Sequence, residues 1–283
     1  MRVLVTGANG QLGKCLQKHS GNFPEIEFLF ETSQTLNITS EEALANFFNQ
    51  YQFDFCVNCA AYTNVEAAES KKGLAFQVNS EAVKSLAEQC KTLGTKLIHI
   101  STDYVFDGLK FSPYVESDAV NPINIYGASK LQGEAMISEH MDRFFIFRTS
   151  WLYSEFGHNF FNTILKKAED RADLNITTEQ IGTPTNANDL AIFILNLINV
   201  KSDAFGLYHY SNQGEASWYD FARLILEEKQ LEYQVNLKAT FSYPTKAKRP
   251  KFSVLDKSKI ENTFKIKVPH WRESLVGLLK KVE

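Results

Sequence analysis

The feature that most constrains this chain lies at its start. Arg2 to Thr6 (RVLVT) reads as a short β-branched strand. Gly7-Ala8-Asn9-Gly10-Gln11-Leu12-Gly13 follows at once and runs into a helical pattern from Lys14 to His19. Glycines at this spacing, between a strand and a helix, let the backbone approach an anion closely and let the helix press on the sheet. The helix N-terminus then meets that anion with free N–H groups. The spacing is G-x-x-G-x-x-G rather than G-x-G-x-x-G. A lone glycine motif is weak, so the strand–turn–helix setting is what makes it a dinucleotide signal.

The rest of the first half keeps the same alternation. Glu27 to Phe30, Phe53 to Ala61, Lys96 to Ser101 and Arg143 to Ser150 read as strands. Between them, helical patterns follow Thr39, with Glu42 as its capping-box partner, and cover Gly73 to Leu93, where Gly94 supplies the stop, and Tyr126 to His140. Strands alternating with helices predict an α/β fold, a Rossmann-type doubly wound parallel sheet with helices on both faces. Residues 1–150 form the expected dinucleotide-binding domain. Residues 151–283 are less regular and form a smaller, mainly substrate-binding region, interleaved with the sheet. Asn188 to Asn199 (helix) and Gly206 to Ser211 (strand) fall within 186–215, part of which is expected to return to the Rossmann core. Ser217 to Lys229 and the stretch from Trp271 read as helices, and Tyr243-Pro244 and Arg249-Pro250 as loops.

Composition narrows the function. A net charge of −3 gives no basic field for nucleic acid. The apolar runs are strand-length, too short to span a membrane, and no signal stretch opens the chain. Four cysteines in 283 residues make no disulfide framework, so a reduced, cytoplasmic setting fits. Cys56-Val57-Asn58-Cys59 lies on a strand rather than at a helix N-terminus and reads as small buried hydrophobes rather than a redox pair. The histidines form no metal cluster; His99 alternates inside a strand and reads as packed or hydrogen-bonded.

At the end of the second strand Glu31 stands where an acid would take a ribose hydroxyl of NAD. Thr32 and Ser33 follow and could take the 2′-phosphate of NADP, so the choice between NADH and NADPH stays open. Cys59, Ala60 and Ala61 end the third strand with side chains small enough to leave room for the cofactor. Ser101-Thr102-Asp103-Tyr104 closes the fourth strand, at the edge where open α/β sheets bind ligands. Tyr126 and Lys130 are one helical turn apart. In isolation a solvated surface pair is the better explanation; beside a nicotinamide, an ammonium would favour the phenolate and bring a proton donor into working range.

Together these stretches, "TGANGQLG" (6–13), "VNCAAYTNVEAAE" (57–69), "STDYVFDG" (101–108), "NPINIYGASKLQGE" (121–134), "FRTSWLY" (147–153), "IGTPT" (181–185) and "RPKFSVLD" (249–256), span nearly the whole chain. The chain resembles the extended short-chain dehydrogenase/reductase superfamily and, within it, the dTDP-4-dehydrorhamnose reductase family. The resemblance implies NAD(P)H-dependent reduction of the C4 ketone of a dTDP-linked 4-keto-6-deoxysugar, dTDP-4-dehydro-L-rhamnose. It gives Thr102, Tyr126 and Lys130 the catalytic roles: Tyr126 donates the proton, Thr102 holds the ketone oxygen, and Lys130 lowers the tyrosine's pKa and binds the nicotinamide ribose. It assigns Gly7, Asn9, Gly10, Gln11, Leu12, Gly13, Glu31, Cys59, Ala60 and Ala61, with Tyr126 and Lys130, to the cofactor. Thr102, Asp103, Tyr104, Trp151 and Arg249 fall to the nucleotide sugar, Arg249 in the one dense basic stretch (246–251) as a phosphate fork.

The same resemblance implies a possible homodimer. Some family members hold a divalent metal at a dimer interface through glutamates; the corresponding positions here are Cys15 and Asn188, so no metal is expected. Two other readings remain. A dehydratase or epimerase of the superfamily is one, though Asp103 is followed by Tyr104 and the acid pair of a dehydratase is missing. A non-catalytic dinucleotide-binding regulatory subunit, like the one known for methionine adenosyltransferase, is the other.

Overall fold

The computed structural model describes residues 1–241 and 244–281; Tyr243 of the expected Tyr243-Pro244 loop lies outside them. Five strands open the fold: β1 (Arg2–Thr6), β2 (Glu27–Glu31), β3 (Phe55–Asn58), β4 (Lys96–Thr102) and β5 (Phe144–Thr149). They join Gly206–His209 in a six-stranded sheet ordered Gly206–His209, β5, β4, β3, β1, β2. Every pairing in this sheet is parallel. Val3, Leu4 and Val5 are completely buried; each is worth about 1.5–3 kcal/mol relative to exposure. Helices cover both faces. Gln11–Ser20 and Ala187–Asn199 enclose one apolar layer, and Glu41–Gln50, Ala82–Thr92 and Ile125–His140 the other. The strand order reverses between β1 and β3, which opens a crevice at the carboxyl ends of the strands.

Element boundaries depart from the sequence reading where tertiary contacts decide them. The first helix begins at Gln11, not Lys14, so Gly13 sits in its first turn. A Cβ on Gly13 would lie 2.6 Å from the Ala8 Cα, which is why the helix can close on the loop only with glycine there. The second helix is capped by Ser40, whose hydroxyl accepts from the Ala43 N–H, and not by Thr39. Thr39 instead hydrogen-bonds Asn37. The third strand is confined to Phe55–Asn58, which leaves Cys59, Ala60 and Ala61 in the loop beyond it.

The helix expected over 73–93 is interrupted by a π-helical turn, Gln77–Glu81. That turn pushes the Asn79 carbonyl toward Ile125–His140, where a Cβ on Gly133 would meet it at 2.1 Å. Asn79 Nδ2 also donates to Ser129 Oγ at 2.9 Å. Gly94 has φ +70° and ends the helix as expected.

Residues after β5 build a smaller region of short strand pairs: Leu152–Tyr153 with Thr185–Asn186, Ile181–Gly182 with Ala216–Ser217, and Leu174–Thr177 with Leu237–Thr240. A third apolar cluster there is enclosed by Phe160–Glu169, Trp218–Glu228 and Trp271–Leu279. A capping box of Ser217 and Asp220 starts Trp218–Glu228. Among the described residues no helix is long and apolar enough to cross a membrane.

Candidate active site

A cleft of about 610 Å³ opens at the carboxyl edge of the sheet, between the glycine loop, the ends of β3 and β4, helix Ile125–His140 and the segment after β5. Gly10 is the N-cap of the first helix and no side chain caps that end. The turn before it is fixed by Gly7, at φ +65°, where any side chain would strike the Ala60 backbone. An uncapped helix N-terminus facing a cleft fits a pyrophosphate. Asn9, Gly10, Gln11 and Leu12 line the cleft, as do Cys59, Ala60 and Ala61. Gly7 and Gly13 shape the loop from behind. Glu31 ends β2, with its carbonyl accepting from the Ala8 N–H at 3.0 Å, and is not part of the cleft wall.

Thr102, Asp103, Tyr104, Tyr126 and Lys130 meet on the facing wall. Helix Ile125–His140 is delivered there by three contacts. Asn124 caps it, accepting from the Gly127 N–H at 2.8 Å. Glu69 takes the Ile125 N–H at 2.9 Å. Gly127 has no Cβ to strike the Tyr104 carbonyl, which would lie 2.1 Å away. One turn further, Glu134 and Arg148 of β5 form a buried ion pair at 2.7 Å, and the Ser101 hydroxyl donates to the same carboxylate.

The Tyr126 phenol and the Thr102 hydroxyl line the same wall. Burial pushes the phenol up to about 12, against the Thr102 hydrogen bond that lowers it. This corrects the expectation that Lys130 draws it toward neutrality. The Lys130 Nζ is instead 3.1 Å from His99 Nε2, inside the fold, and burial brings the lysine down to about 8. Thr102 Oγ1 donates to Asp103 Oδ1 at 3.0 Å and accepts from the Tyr104 N–H at 3.1 Å. Burial raises the Asp103 carboxyl to about 7, opposed by Ser253 and Thr102.

Trp151 reaches the cleft with an unusual backbone, φ 45°. Its ring stacks on Trp218 with centroids 3.6 Å apart, and a Cβ on Gly182 would lie 2.7 Å from the indole. One face of the indole is therefore taken by Trp218, and the ring still lines the cleft. Arg249 lies outside the cleft wall. It lines an adjoining cavity of about 470 Å³, which shares Phe160 and Trp218 with the cleft. Its guanidinium is paired with Glu66 at 2.6 Å.

Several contributors gave no local signal. Asn58 and Asn79 act through register and a π turn, and Trp218 lies far along the chain from Trp151. At the positions where relatives' metal ligands would fall, Cys15 is a buried thiol pushed up to about 12. Asn188 is bonded to His19 and Glu155. Among the described residues no cluster of three or more His, Cys, Asp or Glu side chains could hold a metal.

The sequence matches the family model of the RmlD substrate binding domain over residues 1–283. It is 38% identical over 283 residues to a dTDP-4-dehydrorhamnose reductase of Sinorhizobium fredii, covering 97% of this chain and 95% of that protein. The fold superposes on a dTDP-4-dehydrorhamnose reductase of Clostridium acetobutylicum with TM-score 0.94 and 37% identity, over 100% of this chain and 99% of that one. It also matches a Bacillus anthracis dTDP-4-dehydrorhamnose reductase solved in complex with NADP, with TM-score 0.93, 35% identity and 99% coverage of both chains. The glycine loop, the cleft and the full-length match agree: the chain belongs to the RmlD family of dTDP-4-dehydrorhamnose reductases.

Proposed function

We propose that this chain reduces the C4 ketone of dTDP-4-dehydro-L-rhamnose to dTDP-L-rhamnose, with NADPH or NADH as reductant. The observation that carries the reading is the meeting of Thr102, Tyr126 and Lys130 on one cleft wall, across from an uncapped helix N-terminus. Residues 1–150 serve as the dinucleotide-binding part and 151–283 mainly as the sugar-binding part, with 186–215 contributing a helix and strand to the core. A cytoplasmic setting fits the four free cysteines.

A bound NAD(P)H supplies the hydride to the ketone carbon. Negative charge then grows on the carbonyl oxygen, and a donor placed there lowers the barrier. Tyr126 gives its proton to that oxygen; a phenol titrating near 12 arrives protonated at any working pH. Thr102 turns its hydroxyl from Asp103 to the same oxygen and fixes the ketone. Lys130 swings from His99 to the nicotinamide ribose hydroxyls and brings positive charge toward the forming phenolate. Gln11 and Leu12, at the start of the first helix, present backbone N–H groups to the pyrophosphate, while the Gly10 N–H closes the turn on the Gly7 carbonyl. Asp103 and Tyr104 border the sugar, and the cavity beside Arg249 adjoins the cleft at Phe160 and Trp218, where a nucleotide's phosphates can extend.

The test is a cofactor-oxidation assay against a small panel of nucleotide-linked keto-sugars, run with NADPH and with NADH. The expected outcome is oxidation only when dTDP-4-dehydro-L-rhamnose or a near deoxysugar relative is present. No consumption with any ketone, by a folded protein that binds cofactor, would move the reading to a regulatory dinucleotide-binding subunit.

A further inference from the structure

A row of polar side chains crosses the sheet beneath the cleft. Thr6 of β1 is the register partner of Asn58 of β3, and Asn58 the partner of His99 of β4. All three are essentially buried. Thr6 Oγ1 lies 2.7 Å from Asn58 Oδ1, Asn58 Nδ2 lies 3.1 Å from His99 Nδ1, and His99 Nε2 lies 3.1 Å from Lys130 Nζ. The reaction described above uses none of the three sheet residues.

Donor–acceptor logic fixes the state of this chain. The Ala60 N–H can only donate, and it points at Asn58 Oδ1 at 3.2 Å. That identifies the oxygen and leaves Asn58 Nδ2, a donor, facing His99 Nδ1. His99 Nδ1 must then accept, which places the single proton of a neutral imidazole on Nε2. The imidazole is neutral because burial, and next the charge of Lys130, holds its pKa well below the usual histidine range. The Nε2–H bond therefore points at the lysine nitrogen.

We propose that Asn58 and His99 are positioning residues for the reduction: they hold an Nε2–H against Lys130 and so decide which protonation state of its nitrogen the closed network accepts. An ammonium has three donors and no lone pair, so it faces that N–H donor to donor. A neutral amine accepts it. The pair thus disfavours the ammonium until the lysine leaves for a bound ligand. The other groups around this nitrogen do not cancel the effect. Cys59 lines the cleft together with Lys130, and Glu134, one turn along the same helix, is engaged by Arg148 of β5. Both oppose the burial that brings Lys130 down to about 8.

The inference rests on the catalytic reading of Lys130, and the experiment separates the two. The first arm needs no variant: ring-nitrogen chemical shifts of isotope-labelled histidine in the intact enzyme, with His99 assigned by its loss in H99Q. The Nε2–H tautomer is expected, and the Nδ1–H tautomer overturns the proposal. The second arm is the pH profile of kcat/KM and of NADPH affinity, for wild type, His99→Gln and Asn58→Asp. Glutamine can turn its carbonyl to the ammonium, and aspartate accepts an Nδ1–H and frees Nε2 to accept. Either change is expected to move the alkaline limb upward by about one pH unit. A limb that stays in place in both folded variants overturns the proposal. Lys130→Met is the control: if it keeps wild-type turnover, the catalytic reading fails instead, whatever the tautomer.

Discussion

At the residue scale the site is governed by burial more than by charge. The sequence placed Tyr126 and Lys130 one turn apart, and the helix delivers them so. What spacing could not reveal is that the lysine points at a histidine of a neighbouring strand, and that desolvation therefore sets the phenol's acidity. Asp103 illustrates the same balance. Its carboxyl titrates near 7, where the unfolded chain would titrate near 3.8. The folded state holds that proton more tightly between these values, so its contribution to stability falls as pH rises through the window. Asp103→Asn carries no such charge. Denaturant unfolding at about pH 4 and about pH 7.5 is expected to show the variant gaining on wild type at the higher pH by about 1–3 kcal/mol. An equal difference at both values contradicts a buried, raised Asp103.

At the element scale the site depends on how helix Ile125–His140 is seated. The ion pair of Glu134 and Arg148, with side chains only 6% and 5% exposed, ties that helix to β5. Removing one partner leaves a buried charge, so Arg148→Met is expected to lose about 3–5 kcal/mol of stability, read from the urea midpoint. Gly133 seats the other side. Gly133→Ala drives a methyl into the Asn79 carbonyl and is expected to cost about 1–3 kcal/mol and to depress turnover by displacing Tyr126 and Lys130. A Gly133→Ala protein as stable and active as wild type contradicts this packing. Strand and helix identities were legible from period and punctuation; their seating was not. Gly127 and Gly133 announce close approach only once the facing carbonyls of Tyr104 and Asn79 are known. The π turn that moves Asn79 leaves no mark on a helical pattern. Ser40 replaced Thr39 as cap because a one-residue choice of boundary is decided by the hydrogen bonds actually made.

At the scale of the whole molecule, the parallel sheet and its switch point place one cleft between the two halves of the chain. The glycine loop and the small residues after β3 made one wall of the cleft legible from sequence. The side built after β5 was less so, because it is assembled across long separations: Trp151 stacks on Trp218, and Arg249 is paired with Glu66. If the cleft takes a dinucleotide, binding stabilises the folded state by mass action. NADPH at a hundred times its Kd is expected to add about 2.7 kcal/mol, seen as a rise in Tm. Comparing NADPH with NADH in the same scan reads out the preference that Glu31, Thr32 and Ser33 leave open.

The central claim is that the Tyr126 hydroxyl supplies the proton to the ketone oxygen, and a single substitution isolates it. Tyr126→Phe removes one oxygen and leaves the ring, so cofactor affinity should persist. Steady-state oxidation of the preferred cofactor with dTDP-4-dehydro-L-rhamnose is expected to fall in kcat by about 10²–10⁴-fold. A phenylalanine variant that turns over at the wild-type rate would contradict the account.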